Sequence, residues 1–167
     1  AVGLHIYEEA AKTRPGQRWM KRVVAEMGGK DAIVVAADAD LDSAAAGIAT
    51  AAFGFQGQKC SACSRVIADE KIYEQLIEKV ISRAKEIKIG LATEAATEMT
   101  AVINQKSFDK ALAMVRKGVE EGGEIVLGGS GDASKGFYIE PTVIKNVKPG
   151  DTVEQQEIFA PVLAFIK

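Results

Sequence analysis

Apolar residues in this chain keep two different periods, and the two alternate along its length. From about Glu70 to Ile87, residues Ile72, Leu76, Val80, Ala84 and Ile87 recur at steps of four and three, one face of a helix. Phe108, Ala111, Leu112, Val115 and Val119 repeat that pattern, and Gly122-Gly123 stops the second helix. Around these lie short apolar runs that read as strands: Asp31 to Ala36 (DAIVVA), Arg65 to Ala68 (RVIA), EIVL before Gly128, GFYIEPTVI, and Val162 to Ile166. DAIVVA is apolar throughout, the kind of strand buried in a parallel sheet. Pro141 predicts an edge or an irregularity in its run. Asp40 or Asp42 is placed to cap an Ala-rich helix over about 42–54, whose small residues predict close packing against another element. Residues 2–12 read as a helix broken by TRPG, and Trp19 to Met27 alternates loosely, as a strand leading into Gly28-Gly29. Strands alternating with helices predict an α/β fold with a largely parallel sheet flanked by helices.

The chain's 167 residues suffice for one domain with a proper core. Hydrophobic residues make up 47% and charged residues 26%, with a net charge of −2, so no basic stripe points to nucleic acid. No apolar run is long enough to span a bilayer. The opening residues read as an amphipathic helix and not as the apolar core of a signal peptide. With two cysteines and no disulfide framework, a cytoplasmic setting is expected. The chain opens inside a helical pattern without a cap and ends on the strand-like PVLAFIK, so a piece of a longer protein, truncated at both ends, is expected.

FGFQGQKCSACSR, Phe53 to Arg65, holds both cysteines, Cys60 and Cys63. A zinc clip needs three or four ligands, and the lone histidine, His5, lies far off, so no metal site is expected. A C-x-x-C redox pair normally sits between a strand and the start of a helix, whereas here a helix precedes the motif and a strand follows. A single nucleophile needs backbone amides, a cation or a base nearby; Gly57 lets the backbone turn and Lys59 adjoins, without being aimed. Buried cysteine is also a common small hydrophobe, the preferred reading for Cys63. The residues alone leave nucleophile and packing residue both open for Cys60. Glu26, before Gly28-Gly29, would stand at the carboxyl end of a strand, where α/β sheets place their sites. A turn residue or surface ion-pair partner fits Glu26 equally well.

Together, Glu26 in EMGGK and Cys60 in GFQGQKCSACSR resemble the two active-site signatures of the NAD(P)-dependent aldehyde dehydrogenases, at a compatible separation. QEIFAPV, Gln156 to Val162, is similar to a third family segment, EIFGP. The resemblance runs the whole length of the chain. Within the family, GFQGQKCSACSR and RPGQRWMKR most resemble the members that oxidise L-glutamate γ-semialdehyde to glutamate in proline breakdown. The resemblance implies that residues 1–30 are the end of a cofactor-binding domain and residues 31–167 the major part of a catalytic domain. It implies Cys60 as nucleophile, with its backbone N–H helping to hold the oxyanion, and Glu26 as the base for water, its pKa raised by partial burial. It further implies NAD as cofactor, with NADP not excluded, Glu157 on the nicotinamide ribose, and Phe159 and Met27 near the nicotinamide. Ser61 would help hold a substrate carboxylate and Phe55 would line the aldehyde tunnel. A local loop hydroxyl is the plain alternative for Ser61, and a core aromatic for Phe55. The implied partner is a small-molecule aldehyde, in a homo-oligomer, with no nucleic acid and no membrane.

Two departures from the family pattern stand out. Ala160 replaces the usual Gly of EIFGP, which puts cofactor geometry in question, and Thr100-Ala101 stands where many members have Gly-Pro. A thiol–disulfide protein using Cys60 and Cys63, a non-catalytic scaffold, and a dehydrogenase for another aldehyde are the rival readings.

Overall fold

The structure, a computed structural model, describes residues 2–167. Its chain order is α1 (Val2–Ala11), β1 (Asp31–Val35), α2 (Leu41–Phe53), β2 (Cys63–Ala68), α3 (Tyr73–Glu86), α4 (Gln105–Glu120), β3 (Glu124–Leu127), β4 (Gly131–Asp132), β5 (Tyr138–Ile139), β6 (Thr142–Lys145), α5 (Thr152–Gln155) and β7 (Val162–Ile166). Five strands form one sheet in the order β1-β2-β7-β6-β3. Every neighbouring pair is parallel except β6 with β3, which is antiparallel. β4 and β5 form a separate two-stranded ribbon.

The side-chain alternation of the strands sorts the core into two layers. Val35, Val66, Leu163, Phe165 and Val143 face α2 and α3, where Ala45, Ile48, Ala49, Leu76, Ile77 and Val80 pack on them. Val162, Ala164, Ile166 and Ile144 face the other way, toward Phe108, Ala111, Met114 and Val115 of α4. The alanines of α2 let it approach α3 closely, as their size predicts. Asp40 is the cap: its carboxylate accepts from the Ser43 N–H at 2.7 Å, which depresses its pKa. Pro141 separates β5 from β6, the irregularity it predicts.

Two sequence expectations are corrected. Residues 19–27 are not a strand: the segment has no ladder partner, and Trp19, Met20 and Val24 are exposed. Loose alternation does not make a strand without a neighbour to take its backbone bonds. DAIVVA is a strand but not a buried one. β1 lies at the sheet edge, α4 packs over the other side of the sheet centre, and Val34 is 73% exposed. None of the residues of α1 is buried. Among the described residues no helix is long and apolar enough to cross a membrane.

One buried polar tie closes the core. The Tyr73 hydroxyl donates to the Phe165 carbonyl at 3.1 Å and accepts from the Asn146 N–H at 2.9 Å. It links α3, β7 and the left-handed turn residue Asn146, whose φ is 61°. Tyr73→Phe takes away the acceptor of the Asn146 N–H, while the Phe165 carbonyl keeps its bond from the Val147 N–H, and should cost about 1 kcal/mol of unfolding free energy. Denaturant unfolding of parent and variant reads this directly; equal midpoints would show the tie to be dispensable.

Candidate active site

The parallel strands enter the sheet from one end, and the segments of interest are the loops that lead into them. Gly28-Gly29 precedes β1, Cys60 precedes β2, and Glu157 to Phe159 precede β7. The site therefore gathers at the amino ends of the strands. This corrects the expectation that Glu26 closes a strand at its carboxyl end. The cause is the missing 19–27 strand: Glu26 lies in irregular chain running up to β1.

The cysteine loop is built on an unusual backbone. After α2 ends, Phe55 (φ 56°), Gln56 (φ 57°) and Gly57 (φ 64°) are left-handed in succession. That conformation is costly for residues with a Cβ and persists only where the surroundings impose it. Gln56 and Gln58 impose it here. With the buried Gln56 amide oriented to suit its neighbours, its oxygen accepts from the Thr100 N–H at 2.8 Å and its nitrogen donates to the Phe55 carbonyl at 3.0 Å. The Gln58 side chain accepts from the Ile103 N–H at 2.9 Å. A Cβ on Gly57 would strike the Ala160 carbonyl, so only glycine lets the two loops touch. Thr100, where the sequence departs from the family pattern, thus supplies a backbone donor to this loop. Ala160 is free of strain, because the left-handed residue of its segment is Phe159 (φ 62°).

The loop presents Cys60 and hides Cys63. Both thiols are free; Cys60 is exposed and Cys63 is buried. Burial pushes the Cys63 thiol up to about 11, against the pull of the Ile33 and Arg65 backbone. Among the described residues no backbone carbonyl accepts from the Cys60 N–H. Lys59 does not aim at Cys60; its side chain turns back toward Gly54 at the end of α2.

The Gly-Gly turn and the β7 entry close against the same loop. A Cβ on Gly29 would strike the Cys60 carbonyl, and one on Gly28 would strike the Glu157 carboxylate. The Gly29 N–H donates to Glu157 at 3.2 Å, and Lys110 of α4 donates to the Glu157 carbonyl at 2.7 Å. Phe159 is 41% exposed beside this carboxylate, and Met27 is exposed two residues before Gly29. Glu26 is exposed, not partly buried: it lines an open cleft of about 420 Å³ with Val24, Met27 and Ile6. Ser61 and Phe55 are both exposed in this chain.

Sequence reasoning missed a charged cluster beneath these loops. Arg65 on β2 pairs with the buried Glu154 of α5 and donates its other terminal nitrogen to the Lys30 carbonyl. The Gly150 N–H, then Gln155 and Arg65, hold the Glu154 carboxyl below its usual range. The Lys30 amine lies buried without a hydrogen-bond partner, and burial, then Arg65, lower it to about 8. Its partners are distant in sequence, so only the odd polar residues at strand starts hinted at it.

The aldehyde dehydrogenase family profile matches residues 1–167. The chain belongs to the aldehyde dehydrogenase family. It is 52% identical over 166 residues to the 1-pyrroline-5-carboxylate dehydrogenase of Geobacillus thermodenitrificans, covering 99% of this chain and 32% of that protein. It is 51% identical, at the same coverages, to the enzyme of that name from Anoxybacillus flavithermus. Among solved structures it is similar to the 1-pyrroline-5-carboxylate dehydrogenase from Thermus with bound NAD, with a TM-score of 0.90 and 44% identity over 99% of this chain and 32% of that one. The chain thus spans about a third of the length of the curated relatives it matches.

Two measurements test this electrostatic picture. In native protein at pH 8, iodoacetamide should label Cys60 at least tenfold faster than Cys63, read by peptide mass spectrometry; equal rates would show that burial does not protect Cys63. Lys30 has a folded pKa below its unfolded one, so its charge costs stability below about pH 8, and that cost fades as the pH rises toward 10.5. Lys30→Met should therefore raise the melting temperature at pH 7 and leave it nearly unchanged near pH 10.5.

Proposed function

We propose that this chain is part of an NAD-dependent dehydrogenase that oxidises L-glutamate γ-semialdehyde, the open form of 1-pyrroline-5-carboxylate, to glutamate. The observation that carries the reading is the loop at Cys60. A strained, glycine-dependent turn exposes this one thiol and leaves its N–H unpaired, with the Gly28-Gly29 turn and Glu157 packed beside it. The names of the relatives supply the substrate.

In this reading the Cys60 thiolate adds to the aldehyde carbon. The carbonyl oxygen becomes an alkoxide that accepts a hydrogen bond from the Cys60 N–H. Loss of hydride from that carbon leaves a thioester on Cys60. Glu26, with room for water in the cleft it lines, takes a proton from water as the oxygen attacks the thioester. Collapse releases the carboxylic acid and returns the thiolate. Ser61, exposed next to the nucleophile, donates to the substrate's carboxylate, and Phe55 covers the chain of the aldehyde.

The residues present fit a nicotinamide riboside. Glu157 offers a carboxylate for ribose hydroxyls, glycines at 28 and 29 let the turn close on that carboxylate and on the Cys60 loop, and Phe159 and Met27 offer exposed apolar surface. When bound there, the nicotinamide supplies the hydride acceptor. Residues 31–167 form the major part of the catalytic domain and residues 1–30 the end of the cofactor domain. In support, the two-layer core draws its residues from 33 onward, whereas α1 buries none.

In the full-length enzyme, reduction of NAD by 1-pyrroline-5-carboxylate followed at 340 nm tests the reading. Cys60→Ala should lose at least about 10³-fold in kcat. Glu26→Gln should keep a first-turnover burst of NADH but slow steady turnover by about 10²–10⁴-fold. A Cys60→Ala enzyme that still turns over would refute the assignment, and turnover of other aldehydes alone would move the substrate.

A further inference from the structure

Three segments carry the proposed chemistry, and one guanidinium, borne by the strand that follows Cys60, bonds to the chain near the other two. Lys30 follows Glu26 by four residues, Arg65 follows Cys60 by five, and Glu154 precedes Glu157 by three. Arg65 bridges the other two, from one terminal nitrogen to the Lys30 carbonyl and from the other to the Glu154 carboxylate. The register puts Arg65 between Ala32 of β1 and Ala164 of β7, so its side chain leaves the sheet where all three loops meet.

We propose that Arg65 is the positioning residue of this site: its planar fork locks the loops of Glu26, Cys60 and Glu157 in one mutual arrangement. This inference rests on the roles given above to those three residues.

The partners are themselves fixed. Glu154 is 6% exposed, and its second oxygen accepts from the Gly150 N–H at 3.1 Å and from Gln155. The Lys30 carbonyl belongs to the turn whose Gly29 N–H reaches Glu157. Arg65 thus closes a ring: Lys30 to Gly29, Gly29 to Glu157, and back through the chain to Glu154. Lysine does not reproduce it, since the three N–H donors of an ammonium leave one nitrogen, whereas the two acceptors here are met by two separate nitrogens of a planar fork. A carboxylate this buried does not tolerate loss of its cation without moving. Acylation and hydrolysis both need the reacting groups held to a fraction of an ångström, and an error near 1 Å costs on the order of 10²-fold.

The test is a double-mutant cycle in the full-length enzyme, with Arg65→Lys, Glu154→Gln and the pair. Circular dichroism and melting temperature identify the folded variants. Each folded single variant should lose about 10–100-fold in kcat, and the pair should lose no more than the worse single, because both break one clamp. A second readout needs no turnover: the rate of Cys60 alkylation should change at least about fivefold. Ethylguanidinium should restore part of kcat to a folded Arg65→Ala enzyme, which a loss of general stability would not allow. Folded variants with kcat within twofold of the parent and unchanged alkylation would overturn the inference while the parent's activity keeps the function intact. A parent with no dehydrogenase activity would instead defeat the functional reading. If Arg65→Lys does not fold, the near-isosteric Glu154→Gln is judged by the same two outcomes.

Discussion

β7 is the member on which the rest of the molecule depends. It takes ladder bonds from β2 along one edge and from β6 along the other, and all five of its side chains are buried. A strand closed in on both edges and both faces has nowhere to shift, since a slip of one residue would exchange its two buried faces. Because β2 and β1 run parallel to it in fixed register, the starts of the three strands are aligned. The loops before them inherit that alignment. The site is thus a by-product of parallel pairing: three stretches distant in sequence meet because their strands begin at the same edge of the core.

Alignment alone brings loops near each other, and close contact takes more. Glycine supplies it at Gly28, Gly29 and Gly57, where any side chain would collide with Glu157, Cys60 or Ala160. Left-handed backbone at Phe55, Gln56 and Phe159 turns the chain sharply at the same place. Such strain relaxes unless something opposes it. The opposing forces are polar: two glutamine side chains bound to the backbone at Thr100 and Ile103, and the Arg65 fork between Lys30 and Glu154. The apolar core gives the site its frame, and buried hydrogen bonds give it its shape.

That division explains what was legible in the sequence. Elements held by apolar periodicity were readable, because period is local: α3 follows its four-and-three steps, α4 does so through Val115 but leaves Val119 exposed and buries Met114 and Gly118 instead, and β7 runs over Val162–Ile166 as its apolar run suggests. The cysteine loop was readable as a turn, because glycine and the resemblance both pointed there. What failed depended on neighbours. Residues 19–27 alternate like a strand yet pair with nothing, and β1 is as apolar as a central strand yet lies at an edge. The amino-end location of the site was missed for the same reason, since it follows from the order of strands in space. The Arg65 cluster was invisible because a buried charge is recognisable only beside its partner, and those partners are 35 and 89 residues away.

The two cysteines show the same rule at the scale of one motif. Cys60 and Cys63 share a C-x-x-C spacing and differ by three residues, yet the fold gives them opposite surroundings. Cys63 is the first residue of β2, so its thiol enters the core, donates to the Arg65 carbonyl at 3.2 Å and is held protonated by burial. Cys60 lies before the strand begins, where no ladder claims its N–H and no side chain covers its sulfur. Moving the start of β2 by three residues would put the exposed thiol in the core. The boundary of one strand therefore decides which sulfur is covered, and that boundary is set by the pairing of β2 with β1, which begins at Asp31 and Cys63, and by the turn that delivers the chain to it.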